Sequence, residues 1–228
     1  MTANRPPGRG RLIVFEGAEG AGKTSQATRL ATVLRADGRP VVLVREPGAT
    51  WLGERIRGLL LTERVEIDPR AELFLFLAAR AQLRGEIANH LEAGTTVIAD
   101  RFFLSTYAYQ VAGRGLPLDG VVAANALAVD GLVPDLTIVL AVPPATGLAR
   151  KHAAGEAPDR IERAGVDFHD RVAAAFATYV GQDWQRRHPE CGPIVGIDAT
   201  GGEGAVAERV EAAVAARWPE AVSSSREA

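Results

Sequence analysis

Gly17-Ala18-Glu19-Gly20-Ala21-Gly22-Lys23-Thr24 fits the spacing G-x-x-x-x-G-K-[ST]. An apolar run, Leu12-Ile13-Val14-Phe15-Glu16, precedes it, and Ser25-Gln26-Ala27-Thr28-Arg29-Leu30-Ala31-Thr32-Val33-Leu34 follows, with Ala and Leu at helical spacing. Strand, glycine-rich turn and helix in that order make a phosphate cradle. The glycines let backbone N–H groups close around phosphate oxygens, Lys23 adds a mobile positive charge, and the Thr24 hydroxyl can sit on Mg²⁺. The nucleotide-binding set is Gly17, Ala18, Glu19, Gly20, Ala21, Gly22, Lys23, Thr24 and Ser25. A mere connecting turn would match the four specified positions by chance in about one chain in a hundred of this length.

Outward from this segment, apolar runs at 12–15, 41–44, 96–99, 136–142 and 194–197 alternate with longer helical patterns at 23–36, 52–61, 70–92, 105–111, 118–130, 145–152, 168–188 and 203–217. Strands that are apolar almost throughout are buried on both faces, which means a five-stranded parallel sheet flanked by helices, a three-layer α/β sandwich. With 228 residues and no internal linker, one domain over 11–218 is expected, between a loose Pro/Gly/Arg-rich lead at 1–10 and a flexible tail at 219–228.

Composition narrows the function. The formal net charge is −2 and no long basic block occurs, so nucleic acid is not an expected partner. Cys191 is the only cysteine, which rules out an intrachain disulfide. His90, His152, His169 and His188 share no ligand spacing with it, and no G-x-S-x-G elbow appears. The first residues lack a signal-peptide core and the apolar stretch at 73–81 is too short to span a bilayer, so a cytoplasmic protein without a membrane partner is expected.

In parallel sheets ligands sit beyond the carboxyl ends of the strands. There the chain carries Arg45-Glu46-Pro47-Gly48 after the second strand and Asp100-Arg101 after the third. Asp100 is placed, with Thr24, to hold Mg²⁺ or its water shell, and Arg101 can grip a phosphate with two parallel N–H bonds. Phe76 and Arg80 lie four apart on one helical face, able to stack a base and hydrogen-bond its carbonyl edge. Phe74 is expected in the core.

These residues, with Gln82, Ser105-Thr106, Ala108-Tyr109-Gln110, Gly113-Arg114-Gly115, Asp159-Arg160-Ile161-Glu162 and Ile197-Asp198-Ala199-Thr200, occur in an order that resembles the bacterial thymidylate kinases from Arg11 to Trp218. The resemblance implies a P-loop NTPase-type fold with a small lid, ATP and Mg²⁺ as cofactors, dTMP and ATP as small-molecule substrates, and a homodimer packed through long helices, 70–92 among them. It implies that Glu19 faces the acceptor and its 3′-hydroxyl, that Phe76 stacks on thymine, and that Arg80 reads a base oxygen. Thr106 and Gln110 would line the pocket near the base, Tyr109 would crowd the sugar's 2′ position, and Arg45 and Arg101 would hold the acceptor phosphate.

The stretch 150–163 mixes Gly, Pro and charge between two helices and reads as a mobile lid. Relatives whose P-loop carries no variable basic residue are similar in supplying catalytic arginines from this lid. Arg150 and Arg160 are the candidates here, with Lys151 and Arg163 behind them, beside Lys23, Arg101 and Glu19 in the catalytic set. Four positions depart from the family's usual residues: Phe102, Ala141, Ala145 and Ala154. They leave open a kinase for another or a modified deoxynucleoside monophosphate, and a non-catalytic nucleotide-binding relative. A signalling GTPase would need an Asn-Lys-x-Asp run, which the chain lacks.

Overall fold

The computed structural model describes residues 8–62, 65–153, 155 and 159–219. The lead before residue 8, the tail after 219 and Ala154 lie outside the described residues. Strands β1 (Leu12–Glu16), β2 (Val41–Arg45), β3 (Thr96–Asp100), β4 (Leu136–Ala141) and β5 (Ile194–Asp198) form one parallel sheet in the order β2-β3-β1-β4-β5.

Side chains alternate across each strand and so build two cores. On one face Leu12, Val14, Val97 and Ala99 meet Leu83, Ile87 and Leu91 of α3 (Pro69–Glu92), Val121 of α5 (Leu118–Val129) and Val172 of α7 (Val166–Tyr179). On the other, Ile13, Phe15, Ile98 and Ile138 meet Leu30 and Leu34 of α1 (Lys23–Ala36) and Val206, Val210 and Val214 of α9 (Glu203–Arg217). The result is the three-layer sandwich of a P-loop NTPase-type fold. No helix among the described residues is long and apolar enough to cross a membrane.

The boundaries of α1 and α9 fall where the residue pattern puts them. Helix α3 starts one residue early, at Pro69, because the Asp68 side chain accepts the Arg70 N–H at 2.8 Å and proline costs nothing at that first turn. Three helices and the placement of Phe74 differ from the residue pattern. The helix read over 168–188 is two, α7 and α8 (Gln182–Arg187), divided at Gly181. The break brings Trp184 onto Tyr179, ring centroids 4.1 Å apart, whereas a continuous helix would set residues five apart about 140° around its circumference; His188, one turn after Trp184, stacks on it at 3.9 Å.

The helices read over 105–111 and 52–61 change pitch. The first is α4 (Phe103–Thr106) widening into a π-helical stretch, Tyr107–Gly113; the second is α2 (Trp51–Arg57) followed by a π-helical turn, Gly58–Thr62. Both wide turns lie close to the site described below, where such distortions recur because they re-aim side chains. Phe74 is 62% exposed rather than in the core, since Leu73 and Leu77 take the inward positions of α3. Helix α6 (Pro144–Ala153) leads from β4 toward the described part of 150–163.

Candidate active site

Strand β1 lies between β3 and β4, so the chain leaves it in one direction toward β2 and β3 and returns on the other side. Such a switch point opens a crevice at the carboxyl ends of the strands. A cavity of about 700 Å³ lies there, within the usual range for a ligand pocket.

The glycine-rich loop forms one wall. Gly20 has φ +67, and a Cβ on it would fall 1.9 Å from the Gly147 carbonyl oxygen, so only glycine lets α6 approach the loop. Gly22 caps α1 without a side-chain acceptor, and the first turn holds no acidic residue. The N–H groups of that turn are thus left to an anion, with the helix dipole behind them. Glu19, Gly20, Gly22, Lys23, Thr24 and Ser25 line the cavity, while Gly17, Ala18 and Ala21 lie behind it.

Lys23 is buried, and its Nζ donates to the carbonyls of Gly17 at 3.0 Å and Ala18 at 2.8 Å. Burial, helped by the Arg101 charge, pulls its pKa down to about 8. The Thr24 hydroxyl donates to Asp100 Oδ2 at 2.5 Å. A hydroxyl and a carboxylate side by side on the cavity wall suit a hard cation such as Mg²⁺. Among the described residues no three His, Cys, Asp or Glu side chains gather as a metal cage, so such an ion would draw its other ligands from phosphate and water.

Arg101 stands against the same loop. Its backbone has φ +74, an uncommon value for a residue with a side chain, enforced by its N–H bond to Phe15 O at 2.9 Å and by three side-chain bonds. Nη1 donates to Gly17 O at 3.3 Å and Ser105 Oγ at 3.1 Å, and Nη2 donates to Glu19 Oε1 at 2.6 Å. The Tyr109 hydroxyl donates to the same Glu19 oxygen at 2.8 Å, and the guanidinium lies 5.0 Å from the Tyr109 ring. Burial opposes the Glu19 charge, but Arg101, Lys23 and the Tyr109 bond outweigh it and hold the carboxyl at about 2. Glu19 thus turns its carboxylate toward Arg101 and Tyr109, which resolves the presence of an acid in a phosphate loop.

Glu16, which nothing in the pattern singled out, fixes this corner. It is wholly buried at the end of β1 and accepts from the Phe102 N–H at 2.8 Å and the Ser105 hydroxyl at 2.6 Å. Arg45 Nη2 reaches both Glu54 oxygens at 3.1 Å while remaining half-exposed at the mouth. Arg57, also unforeseen, lines the same rim and donates to Pro47 O at 3.0 Å. Phe76 is partly buried and lines the cavity with Thr106 and Gln110.

Arg80 differs from its expectation. Nε and Nη2 donate to Glu46 Oε2 at 2.8 and 2.5 Å, Nη1 donates to Thr106 Oγ1 at 2.7 Å and Asn125 Oδ1 at 2.5 Å, and Nη2 also reaches Phe102 O at 2.8 Å. A guanidinium has five N–H donors, and this arrangement engages all of them, leaving none to read a base oxygen directly.

The lid cations also part company. Arg150 lines the cavity, but its Nη2 donates to Ala199 O at 3.0 Å and Gly201 O at 3.1 Å, beyond β5. Lys151 lines it too, with Nζ 2.5 Å from Glu162 Oε1. Arg160 does not line it: Nε donates to Leu60 O at 2.9 Å and Nη2 to Glu72 Oε2 at 2.5 Å, so its side chain faces α3 rather than the phosphate loop. Arg163 is exposed and off the cavity wall. Of the residues that depart from the family pattern, Ala141 and Ala145 are exposed outside the cavity, and Phe102 is buried beneath Arg80 with its ring 5.3 Å from the guanidinium.

A family model described as thymidylate kinase matches residues 15–185. The chain is 43% identical over 209 residues to a thymidylate kinase of Deinococcus radiodurans, covering 91% of this chain and 98% of that one. It is 47% identical over 169 residues to one of Carboxydothermus hydrogenoformans, covering 74% and 83%. To one of Gloeobacter violaceus it is 45% identical over 205 residues, covering 89% and 93%.

Proposed function

The chain belongs to the thymidylate kinase family, and on that premise we propose that it transfers the γ-phosphoryl group of ATP to dTMP, giving dTDP and ADP. One observation carries the reading: a phosphate cradle around Lys23 and an acceptor wall built on Arg101, Glu19 and Tyr109 share one cavity, and Arg101 stands between them.

The chemistry needs little more than placement and charge. An acceptor phosphate oxygen forms a bond to the γ-phosphorus as the bridging oxygen to the β-phosphorus departs, with no protein nucleophile. Backbone N–H groups of 17–24 hold the triphosphate, and Lys23 leaves its carbonyl partners to follow the moving charge. Arg101 holds the acceptor phosphate in line, with Arg45 and Arg57 at the mouth. Thr24 and Asp100 would hold Mg²⁺, which would supply positive charge to the phosphate oxygens. Phe76 stacks on the base, and Tyr109, tied to Glu19, leaves the sugar's 2′ position no polar partner. Arg150 and Lys151 are the lid cations on the cavity wall; Arg160 contributes charge to the transfer only by leaving Glu72. A homodimer through α3 fits the exposed Phe74 on its outer face.

Coupled ADP release with dTMP, dUMP, dCMP and dGMP as acceptors tests this. Turnover with dTMP above the others supports it. Tight binding of ATP and dTMP without ADP release would mean a non-catalytic nucleotide binder.

A further inference from the structure

Glu72 has no place on the cavity wall, yet it is 1% exposed and gathers donors from three residues of two segments. Its Oε1 accepts from Gln110 Nε2 at 2.9 Å and Arg114 Nε at 3.1 Å; its Oε2 accepts from Arg114 Nη2 at 3.0 Å and Arg160 Nη2 at 2.5 Å. Facing two guanidinium groups, the carboxyl stays ionised: burial resists, and the bonds from Arg114, Gln110 and Arg160 pull its pKa below the ordinary range. An ionised carboxylate only accepts, so the Gln110 amide must turn its nitrogen toward Glu72. Gln110 lines the cavity and Glu72 does not, so the atom left for the cavity is the amide oxygen.

Thr106, one turn earlier, is oriented in the opposite sense. Its Oγ1 accepts from Arg80 Nη1 at 2.7 Å, and Arg80 is itself held by buried Glu46 through bonds of 2.8 and 2.5 Å. A hydroxyl that accepts this charge-assisted bond keeps its own proton to donate elsewhere. Two buried carboxylates thereby set a donor and an acceptor next to each other on the same stretch of wall.

Building on the thymidylate kinase reading, we propose that Glu46 and Glu72 are positioning residues that fix the base specificity of the acceptor pocket. Through Arg80, Glu46 presents Thr106 as a donor, and Glu72 presents Gln110 as an acceptor. The pair matches a pyrimidine with an oxygen at C4 and an N–H at N3, as in thymine and uracil. Cytosine, with an amino group at C4 and a bare N3, meets a like partner at both positions. The cost falls on buried groups that lose their bonds, which is how a polar pocket rejects a near-isostere.

The test is calorimetric binding of dTMP, dUMP and dCMP to the full chain, as wild type, Glu72→Gln and Gln110→Met. Comparing dUMP with dCMP removes the 5-methyl group from the argument. Wild type is expected to favour dUMP over dCMP by about 100-fold, roughly tenfold for each mismatched position. Glu72→Gln puts a group that can both donate and accept behind Gln110, lets its amide turn over, and lowers that ratio about tenfold. Gln110→Met removes the acceptor and lowers it by a similar factor. A purely architectural Glu72 would weaken all three nucleotides alike or shift only the melting temperature.

Wild type without a dUMP preference overturns the proposal, as does a folded Glu72→Gln that keeps the ratio. If Glu72→Gln does not fold, an unchanged ratio in Gln110→Met overturns it instead. Binding is read without turnover, so the two readings separate. Selective binding with no ADP release sinks the kinase and leaves this inference standing, whereas dTMP turnover with an unmoved ratio does the reverse.

Discussion

Replacing Glu19 by Gln keeps the side chain's shape and removes its charge, leaving Arg101 with its other bonds and no anion at 2.6 Å. The fall of the Glu19 carboxyl from 4.5 to about 2 measures how much the folded environment favours the ionised form. It corresponds to about 3 kcal/mol for this group, which is 15% exposed. Unpairing a buried ion costs on the same scale, about 3–5 kcal/mol. For a domain of this size each kcal/mol moves the melting temperature by roughly 2–4 °C. Glu19→Gln should therefore melt roughly 6–12 °C below wild type at pH 7 in a buffer free of phosphate.

The sign with pH follows from a lowered carboxyl. Stability from ionised Glu19 is fully present above the unfolded value of 4.5 and is lost as pH falls through about 2. By pH 3 the wild-type advantage should have shrunk to roughly two-fifths of its value at pH 7. Differential scanning fluorimetry of both proteins across pH 7 to 3 measures it. A difference under about 2 °C at pH 7, or one that does not narrow toward pH 3, would refute the idea that Arg101 and Glu19 are a mutually stabilising pair.

Lys23, with a pKa near 8, should lose its charge as pH rises from 7 to 9, so ATP binding to the free enzyme should weaken over that interval and Lys23→Met should abolish the dependence; fluorescence titration with ATP at each pH shows it. The same variant should lower kcat by about 100-fold or more in the coupled ADP assay. Gly20→Ala forces a Cβ against Gly147 O and should unfold the loop or the chain, whereas Gly22→Ala, whose added Cβ meets nothing within 4 Å, should cost only about 1–2 kcal/mol of left-handed strain; thermal melts separate the two. Phe76→Ala should raise the dTMP KM about tenfold or more and leave the ATP KM unchanged in steady-state kinetics, because base stacking on an aromatic ring is worth roughly 1–3 kcal/mol.

The five strands and the helices α1 and α9 were legible because period and apolar content act locally: a strand inside a covered sheet must be apolar along most of its length. The phosphate loop was legible because its glycines answer a steric demand within eight residues. What escaped the pattern is what the chain builds across distance. Glu16 and Glu72 carry no local signature, since a carboxylate in a strand or helix ordinarily points to water, and although Glu46 belongs to the Arg45-Glu46-Pro47-Gly48 motif, only the fold brings Ser105, Arg114 and Arg80 to these three. Arg80 and Arg160 were recognised as important, but their partners in space, not their neighbours in sequence, decide where their donors go. Gly181 marks the break between α7 and α8, and the contact of Trp184 with Tyr179 across that break is a tertiary effect.

In the proposed reaction one cavity seats a triphosphate at Lys23 and a thymidylate at Arg101 close enough for direct transfer. Following ATP, dTMP and Mg²⁺ with the protein by ³¹P nuclear magnetic resonance tests it most directly. With direct transfer, resonances of dTDP and ADP grow together at equal rates while those of ATP and dTMP decline. ADP appearing with free inorganic phosphate in place of dTDP, or no change in any resonance, would contradict it.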